Sequence, residues 1–440
     1  MDVLDSESRE QVRVADTFYA HRGEARAGDG QTQRSAPLMG LPVATKEKHS
    51  LKGRSISQGM RAYAQAVAEE DHPLVSRIRE AGGIVHGRTT SPEFSCATTT
   101  HSTLWGVTRN PWDRRLSPGG SSGGAAAALA AGMTPLATAS DIAGSTRLPA
   151  AFTGNVGYKG PYGTVPGSGP FAADWYRGDG AMARSVADVV LLTDVIRGLH
   201  AADHNTVPSR NIAMPGAEQA LDGLKGRRIA YSSTLGNYPV ERSVLTRIDQ
   251  VVSSLEAAGA EIIDVDLPWT TEEIRRISMA HFGHLLAPGM SGLLAGQEDT
   301  AEEYTRRFMQ VARDHAEQRD LFETLAGEHR MQTELGAVLH DADALLTPAS
   351  AVLALKADGQ YLDGITVSDQ SDGVDRHLEH YWEAHMTVPF NITNRSPVLC
   401  VPAGLASGFP VGLQIVTKPY DEAGVFEIGL GIEELIARQP

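Results

Sequence analysis

The chain has 440 residues, 41% of them hydrophobic, and a formal net charge of −15. That is enough apolar material for a large core, and so acidic a balance argues against nucleic acid or an anionic membrane as a main partner, because both attract basic surfaces. Its two cysteines, Cys96 and Cys400, are too few for a disulfide framework and lack metal-ligand spacing, so a reduced, cytoplasmic setting is expected.

The charged N-terminus predicts a helix to about Arg22, without the apolar centre of a signal peptide. No apolar run reaches the roughly 18 residues of a membrane span. A polar, glycine-containing loop follows to residue 40. Residues 41–45 (LPVAT) read as a short buried strand that delivers Lys46 at its end, and EKHSLKGRSISQG after it reads as a loop. In 72–81, Leu74, Val75 and Ile78 recur at helical spacing, Gly82 and Gly83 stop the helix, and Ile84 and Val85 begin a strand. Helix followed by strand returns at 125–131 with 134–139 and at 242–258 with 261–265; a strand at 411–416 precedes a helix at 423–436. This alternation predicts an α/β fold with a central mixed sheet flanked by helices on both faces. Between these units, 185–198 predicts a helix with Ser185 as N-cap and Asp188 complementing its dipole. Residues 199–226 are linker-like, 270–340 mostly helical, and 355–376 loop-like and acidic.

The stretch from Gly119 to Arg147, GGSSGGAAAALAAGMTPLATASDIAGSTR, organises the rest. It carries Ser121 and Ser145 in glycine-rich surroundings, where backbone must take φ > 0 or approach a neighbour closely. GGSSGG alone suits a linker or a phosphate loop. The phosphate reading fails for want of GxxxxGK[ST], and the linker reading fails because ordered elements stand on both sides. A nucleophilic serine needs a base and donors for an oxyanion. His49, His72, His86 and His101 lie in this half of the chain, but each reads as a surface or packing residue, and no GxSxG elbow frames Ser145. Lys46 is the better base, since desolvation at a buried strand end can leave its amine neutral; the competing reading is a surface lysine such as Lys48 or Lys52.

Lys46 in LPVATKEKHSLKG, the run GGSSGG, and DIAGSTRLPAAFTGNVGYKGPYG together resemble the amidase signature family, whose catalytic set is Ser-cisSer-Lys. The family's nucleophile lies 24 positions after the first serine of GGSSGG, and here 145 − 121 = 24. GRTTSPEF (87–94), NPWD (110–113), AMARSVADVVLLTDVIRG (181–198), ALLTPAS (344–350) and the tail at 388–416 extend the likeness over nearly the whole chain, least in 200–340. The resemblance implies one amidase domain over 1–440: an N-terminal segment 1–40, a catalytic core 41–198, a variable, mostly helical region 199–340, and a part 341–440 that completes the sheet. It implies an amidohydrolase of linear carboxamides, in which neutral Lys46 takes the proton of Ser121, Ser121 takes that of Ser145, and Ser145 forms an acyl-enzyme. It further implies a cis Gly120–Ser121 peptide, an oxyanion hole of the Ile142, Ala143, Gly144 and Ser145 amides, and structural support from Gly120, Ser122, Asp141 and Arg147. No cofactor and no metal are implied. The expected partners are a small amide substrate and a second copy in a homodimer, with neither nucleic acid nor membrane.

The chain departs from the family's usual pattern in three places. KEK at 46–48 replaces KDN, and an inward Lys48 would depress the Lys46 pKa further. DIAGS puts Ala143 where glycine is frequent, a strained choice if φ there is positive. GYKGPYG brings Tyr158 toward the edge of the site. Phe171, Trp175, Tyr176, His281, Phe282 and Trp382 are candidate pocket walls, each equally a core residue by type, and they favour an aryl or hydrophobic acyl group. Three other readings stay open. The same acyl-enzyme could pass its acyl group to an amine in biosynthesis. The chain could be the amidase subunit of a tRNA-dependent amidotransferase, which the divergence of 270–340 and the lack of basic surface disfavour. A metal hydrolase could use His281 with His284, or His377, His380 and His385, though no HExxH accompanies them.

Overall fold

The computed structural model describes residues 2–22, 36–209 and 212–438. Its strands are β1 (Asp2–Val3), β2 (Pro42–Lys46), β3 (Ile84–Thr89), β4 (His101–Ser102), β5 (Gly106–Val107), β6 (Leu136–Asp141), β7 (Val156–Lys159), β8 (Gly178–Ala183), β9 (Arg228–Tyr231), β10 (Glu261–Asp264), β11 (Ala344–Pro348), β12 (Ile365–Val367), β13 (Arg376–Leu378), β14 (Val398–Ala406) and β15 (Phe409–Thr417). The helices are α1 (Asp5–Arg22), α2 (Pro73–Glu80), α3 (Gly123–Ala130), α4 (Arg147–Thr153), α5 (Val186–Ile196), α6 (Ala217–Asp222), α7 (Arg242–Ala257), α8 (Thr271–Leu294), α9 (Glu303–Gln318), α10 (Leu321–Asp341), α11 (Pro389–Ile392) and α12 (Glu422–Ala437).

Eleven of the described strands share one sheet in the order β1-β3-β2-β6-β8-β7-β14-β15-β11-β9-β10. It is mixed. β2 runs parallel to β3 and β6, and β9 parallel to β10 and β11. The strands from β6 through β8, β7, β14 and β15 to β11 pair antiparallel. The central strands β14 (VLCVPAGLA) and β15 (FPVGLQIVT) are nearly continuous apolar runs, as strands covered on both faces require. β6 (LATASD) is buried at every position, and its small side chains let α3 (GGAAAALA) pack against it.

The predicted helices appear with ends shifted by a residue or two. His72 caps α2 by accepting from the Leu74 amide, and Ser185 caps α5 by accepting from that of Asp188. β3 runs four residues beyond the expected pair, because its Ala44 to Lys46 partners on β2 extend the ladder to Thr89. The acidic 355–376 segment contains β12 and the first residue of β13, which form a small ribbon. Among the described residues no helix is long and apolar enough to cross a membrane, and Cys96 and Cys400 are buried free thiols.

Candidate active site

β2 lies between β3 and β6 and ends in Lys46, whose side chain is fully buried. The Lys46 amide donates to Thr138 Oγ1 at 2.9 Å. Its Nζ lies within hydrogen-bond distance of three hydroxyls: Ser121 Oγ at 2.7 Å, Ser140 Oγ at 2.9 Å and Ser122 Oγ at 3.0 Å. Hydroxyls offset little of the cost of burying an ammonium. Burial first and the Lys48 cation second hold the Lys46 pKa well below the usual lysine range, against a smaller upward pull from Asp179.

Ser121 and Ser122 lead into α3 from a turn made by Gly120, which has φ 52°. The Gly120 amide donates to Thr98 O at 2.7 Å, and Thr100 Oγ1 donates to Gly120 O at 2.8 Å. A Cβ on Gly120 would lie 3.2 Å from Ser145 Cα, and this close approach brings the Ser121 amide within 3.1 Å of Ser145 Oγ. The expected cis Gly120–Ser121 bond is not found: the described residues contain no cis peptide. The left-handed conformation of Gly120 turns the chain instead. Ser121 therefore faces Lys46 with its hydroxyl and Ser145 with its amide.

β6 ends at Asp141, and α4 begins six residues later, at Arg147. Asp141 accepts from the Gly144 amide at 2.7 Å, the Thr146 amide at 3.2 Å, Arg147 Nε at 3.0 Å, Arg147 Nη2 at 2.9 Å and Asn391 Nδ2 at 2.8 Å. Arg147 Nη1 continues to Thr387 O at 3.0 Å and Gln414 Oε1 at 2.8 Å. Burial alone would raise the Asp141 pKa; Arg147, Asn391 and Lys159 overturn that and bring it to about 2. The turn is thus bolted to α11 and β15. Ala143 stays out of the left-handed region, so the expected strain is absent; Gly144 carries it, with φ 112°. The Gly144 amide is committed to Asp141, whereas those of Ile142, Ala143 and Ser145 have no protein acceptor among the described residues.

The candidate pocket walls separate. Tyr176, His281 and Phe282 are fully buried and Trp382 is nearly so. His281 stacks on Tyr176 with ring centroids 3.6 Å apart, between Glu328 Oε1 and Asp174 Oδ1, each 2.9 Å away. Trp175 Nε1 and Tyr176 OH donate to the same Glu328. These residues form an internal polar knot rather than an open wall. Only Phe171 and Trp175 keep partial exposure. Tyr158 is also buried, packed on Phe426 and donating to Glu422 Oε1, away from the serines. The spaced histidines diverge: His284 contacts Arg319 O, His377 Thr366, and His385 Thr98. Among the described residues no group of three or more His, Cys, Asp or Glu is arranged to hold a metal.

Thr138, Ser140, Thr387, Asn391 and Gln414 were not singled out from the sequence. A signal existed for three of them. Thr138 and Ser140 are polar at period two among the apolar Leu136, Ala137 and Ala139, and Gln414 is a lone amide in an apolar run.

The Amidase family pattern matches residues 8–426. The A subunit of glutamyl-tRNA(Gln) amidotransferase from Halorhodospira halophila is 30% identical, across 98% of this chain and 89% of that protein. Its counterpart in Symbiobacterium thermophilum is 29% identical, across 94% and 86%. Among solved structures, the counterpart from Thermotoga maritima is 28% identical with a TM-score of 0.75, covering 91% of this chain and 84% of its own. A bacterial aryl acylamidase of the amidase signature enzymes has a TM-score of 0.85 over 100% and 91%, at 23% identity, a likeness of fold.

Proposed function

The chain belongs to the amidase signature family, and from that premise we propose that it cleaves the C–N bond of a carboxamide through an acyl-enzyme on Ser145. The observation that carries this reading is the short Lys46 Nζ to Ser121 Oγ bond beside a Ser145 hydroxyl held by the Ser121 amide. Neutral Lys46 takes the Ser121 proton as the Ser145 hydroxyl turns from the Ser121 amide to Ser121 Oγ and gives up its own. Ser145 Oγ attacks the amide carbon. The oxyanion is held by the Ile142, Ala143 and Ser145 amides, with Gly144 serving the shape of the turn. The relayed proton goes to the leaving nitrogen, the C–N bond breaks, and ammonia or an amine departs. Water then cleaves the Ser145 ester, releasing the acid and restoring the hydroxyl. Strands from the whole length of the chain share the sheet that carries these residues, which supports reading it as one catalytic unit.

The names of these relatives favour a second reading over free hydrolysis: the amidase component of a tRNA-dependent amidotransferase, whose released nitrogen passes to a partner. The acyl-enzyme step is common to both. Ammonia and amine release from a panel of aliphatic and aryl amides, with glutamine included, would be measured for the wild type, Ser145→Ala and Lys46→Ala. Turnover lost in both variants supports the mechanism, and its survival in Ser145→Ala refutes it. Turnover of glutamine alone, with a second protein co-purifying from the native source, favours the amidotransferase. Product formed with added hydroxylamine at the expense of acid supports the acyl-enzyme that these readings share.

A further inference from the structure

Resting on the role of Lys46 as base, we infer that Lys48 and Asp179 form a positioning pair that keeps Lys46 unprotonated: the Lys48 cation repels a proton from the neighbouring amine, and Asp179 holds that cation in the interior. Lys48 follows Lys46 by two residues and turns inward. Its Nζ lies 2.6 Å from Asp179 Oδ1, with the side chains 11% and 3% exposed. The sheet register brings this pair to the base. Asp179 on β8 sits opposite Ser140 on β6, so the two side chains share a face, and Ser140 Oγ is one of the three acceptors of Lys46 Nζ. Thr138, two residues before Ser140, ties the groups together: its Oγ1 accepts from the Lys46 amide and bonds His49 Nδ1 at 2.8 Å.

The other groups around Lys48 leave it as the cation that faces Asp179. His49 Nε2 is 3.1 Å from Asp179 Oδ1, and His72, at the head of α2, has Nε2 3.6 Å from Asp179 Oδ2. Burial pushes both imidazole pKa values down, that of His72 to about 3, so neither carries charge near neutrality. Arg177 and Asp174, just before β8, act on Lys48 with opposite signs. Burial brings the Lys48 pKa down to about 8, still charged at pH 7. Burial would raise the Asp179 pKa, but Lys48 and His49 hold it well below the usual range, so the pair is ionic at neutral pH. Three serine hydroxyls on Lys46 Nζ would favour its ammonium form; burial and the Lys48 cation oppose them.

The test is kcat/KM against pH for the full chain on whichever amide the panel identifies, since its acid limb reports the base of the free enzyme. Lys48→Met removes the repelling cation and strands Asp179, both of which raise the Lys46 pKa, so the acid limb moves up by about one unit or more. Lys48→Arg keeps the charge and the limb. In Lys48→Met with Asp179→Asn the limb falls back to a position between wild type and the single variant. A purely structural lesion would lower activity at every pH without moving the limb. If Lys48→Met does not fold, the neutral double variant and Lys48→Arg carry the comparison, the limb rising in the first and not in the second. A limb that stays in place in folded, charge-free variants overturns the inference. A dead Ser145→Ala with an unmoved limb refutes this pair alone, whereas an active Ser145→Ala refutes the proposed mechanism.

Discussion

Gly144→Ala tests whether the turn after β6 is built around an absent side chain. An added Cβ would stand 1.9 Å from Thr387 Oγ1 and 2.5 Å from Thr387 Cβ. Thr387 cannot simply rotate away, since its hydroxyl donates to Ala143 O at 2.9 Å and its carbonyl receives Arg147 Nη1. Alanine would also have to hold φ 112°. Strained backbone of that kind costs about 1–3 kcal/mol, and overpacking about 1–3 kcal/mol more, so the turn will move rather than bear both. Movement displaces the Ala143 and Ser145 amides, and loss of one oxyanion donor lowers kcat about 10²–10³-fold. The assay is kcat and urea unfolding for Gly144→Ala, Thr387→Ala and the double variant. Thr387→Ala removes the 1.9 Å contact but leaves the Cβ contact and the dihedral, so the double variant should recover part of the stability and little of the rate. A Gly144→Ala enzyme within about twofold of wild-type kcat would refute the reasoning, being far from the loss expected of a displaced donor.

Three further outcomes follow from the buried charges. Asp141→Asn leaves Arg147 buried without its anion and should cost about 3–5 kcal/mol in urea unfolding at pH 7. Because the folded Asp141 pKa is depressed to about 2, its contribution is present above the unfolded value near 3.8 and is lost between there and 2; a variant as stable as wild type at pH 7 would contradict this. Lys46→Met should abolish turnover yet be at least as stable as wild type at neutral pH. The folded Lys46 pKa lies below 10.5, so the unfolded chain binds the extra proton and wild-type stability climbs with pH through that window, narrowing the gap. A gap that widens with pH would be the wrong sign. For His281, burial lowers the pKa but Asp174 and Glu328 overcome it and raise it. His281→Gln should therefore cost most below about pH 6.5 and progressively less as pH rises from there through the raised folded value, as read by thermal melts from about pH 6 upward.

What could be read from the sequence was whatever a short stretch of chain decides for itself. The strand ending in Lys46, the helix over 72–81 and the helix cap at Ser185 are local patterns, and the structure shows them near their expected positions. Aromatic residues chosen by type fared differently. Tyr176 and His281 come from segments 105 residues apart in the chain, and which side of a wall they face depends on Glu328, a carboxylate on a third segment.

The loop after Lys46 shows why such misses are systematic. EKHSLKG is polar enough to read as solvent-exposed, yet Glu47 and His49 are buried. Burial of Lys48 and His49 is possible only because β8 sets Asp179 across from Ser140, and that register depends on antiparallel pairing between strands separated by α4 and β7. Lys46 illustrates the same limit more sharply. Its position at a strand end makes a neutral amine conceivable, but its three serine acceptors alone would hold a proton there. Depth and the Lys48 cation lower its pKa; the first arises from the sheet, and the second, two residues along the chain, sits inside beside Asp179 on β8. The chemistry proposed for the site is therefore a property of strand order, with β2, β6 and β8 adjacent, as much as of the three side chains proposed to perform it.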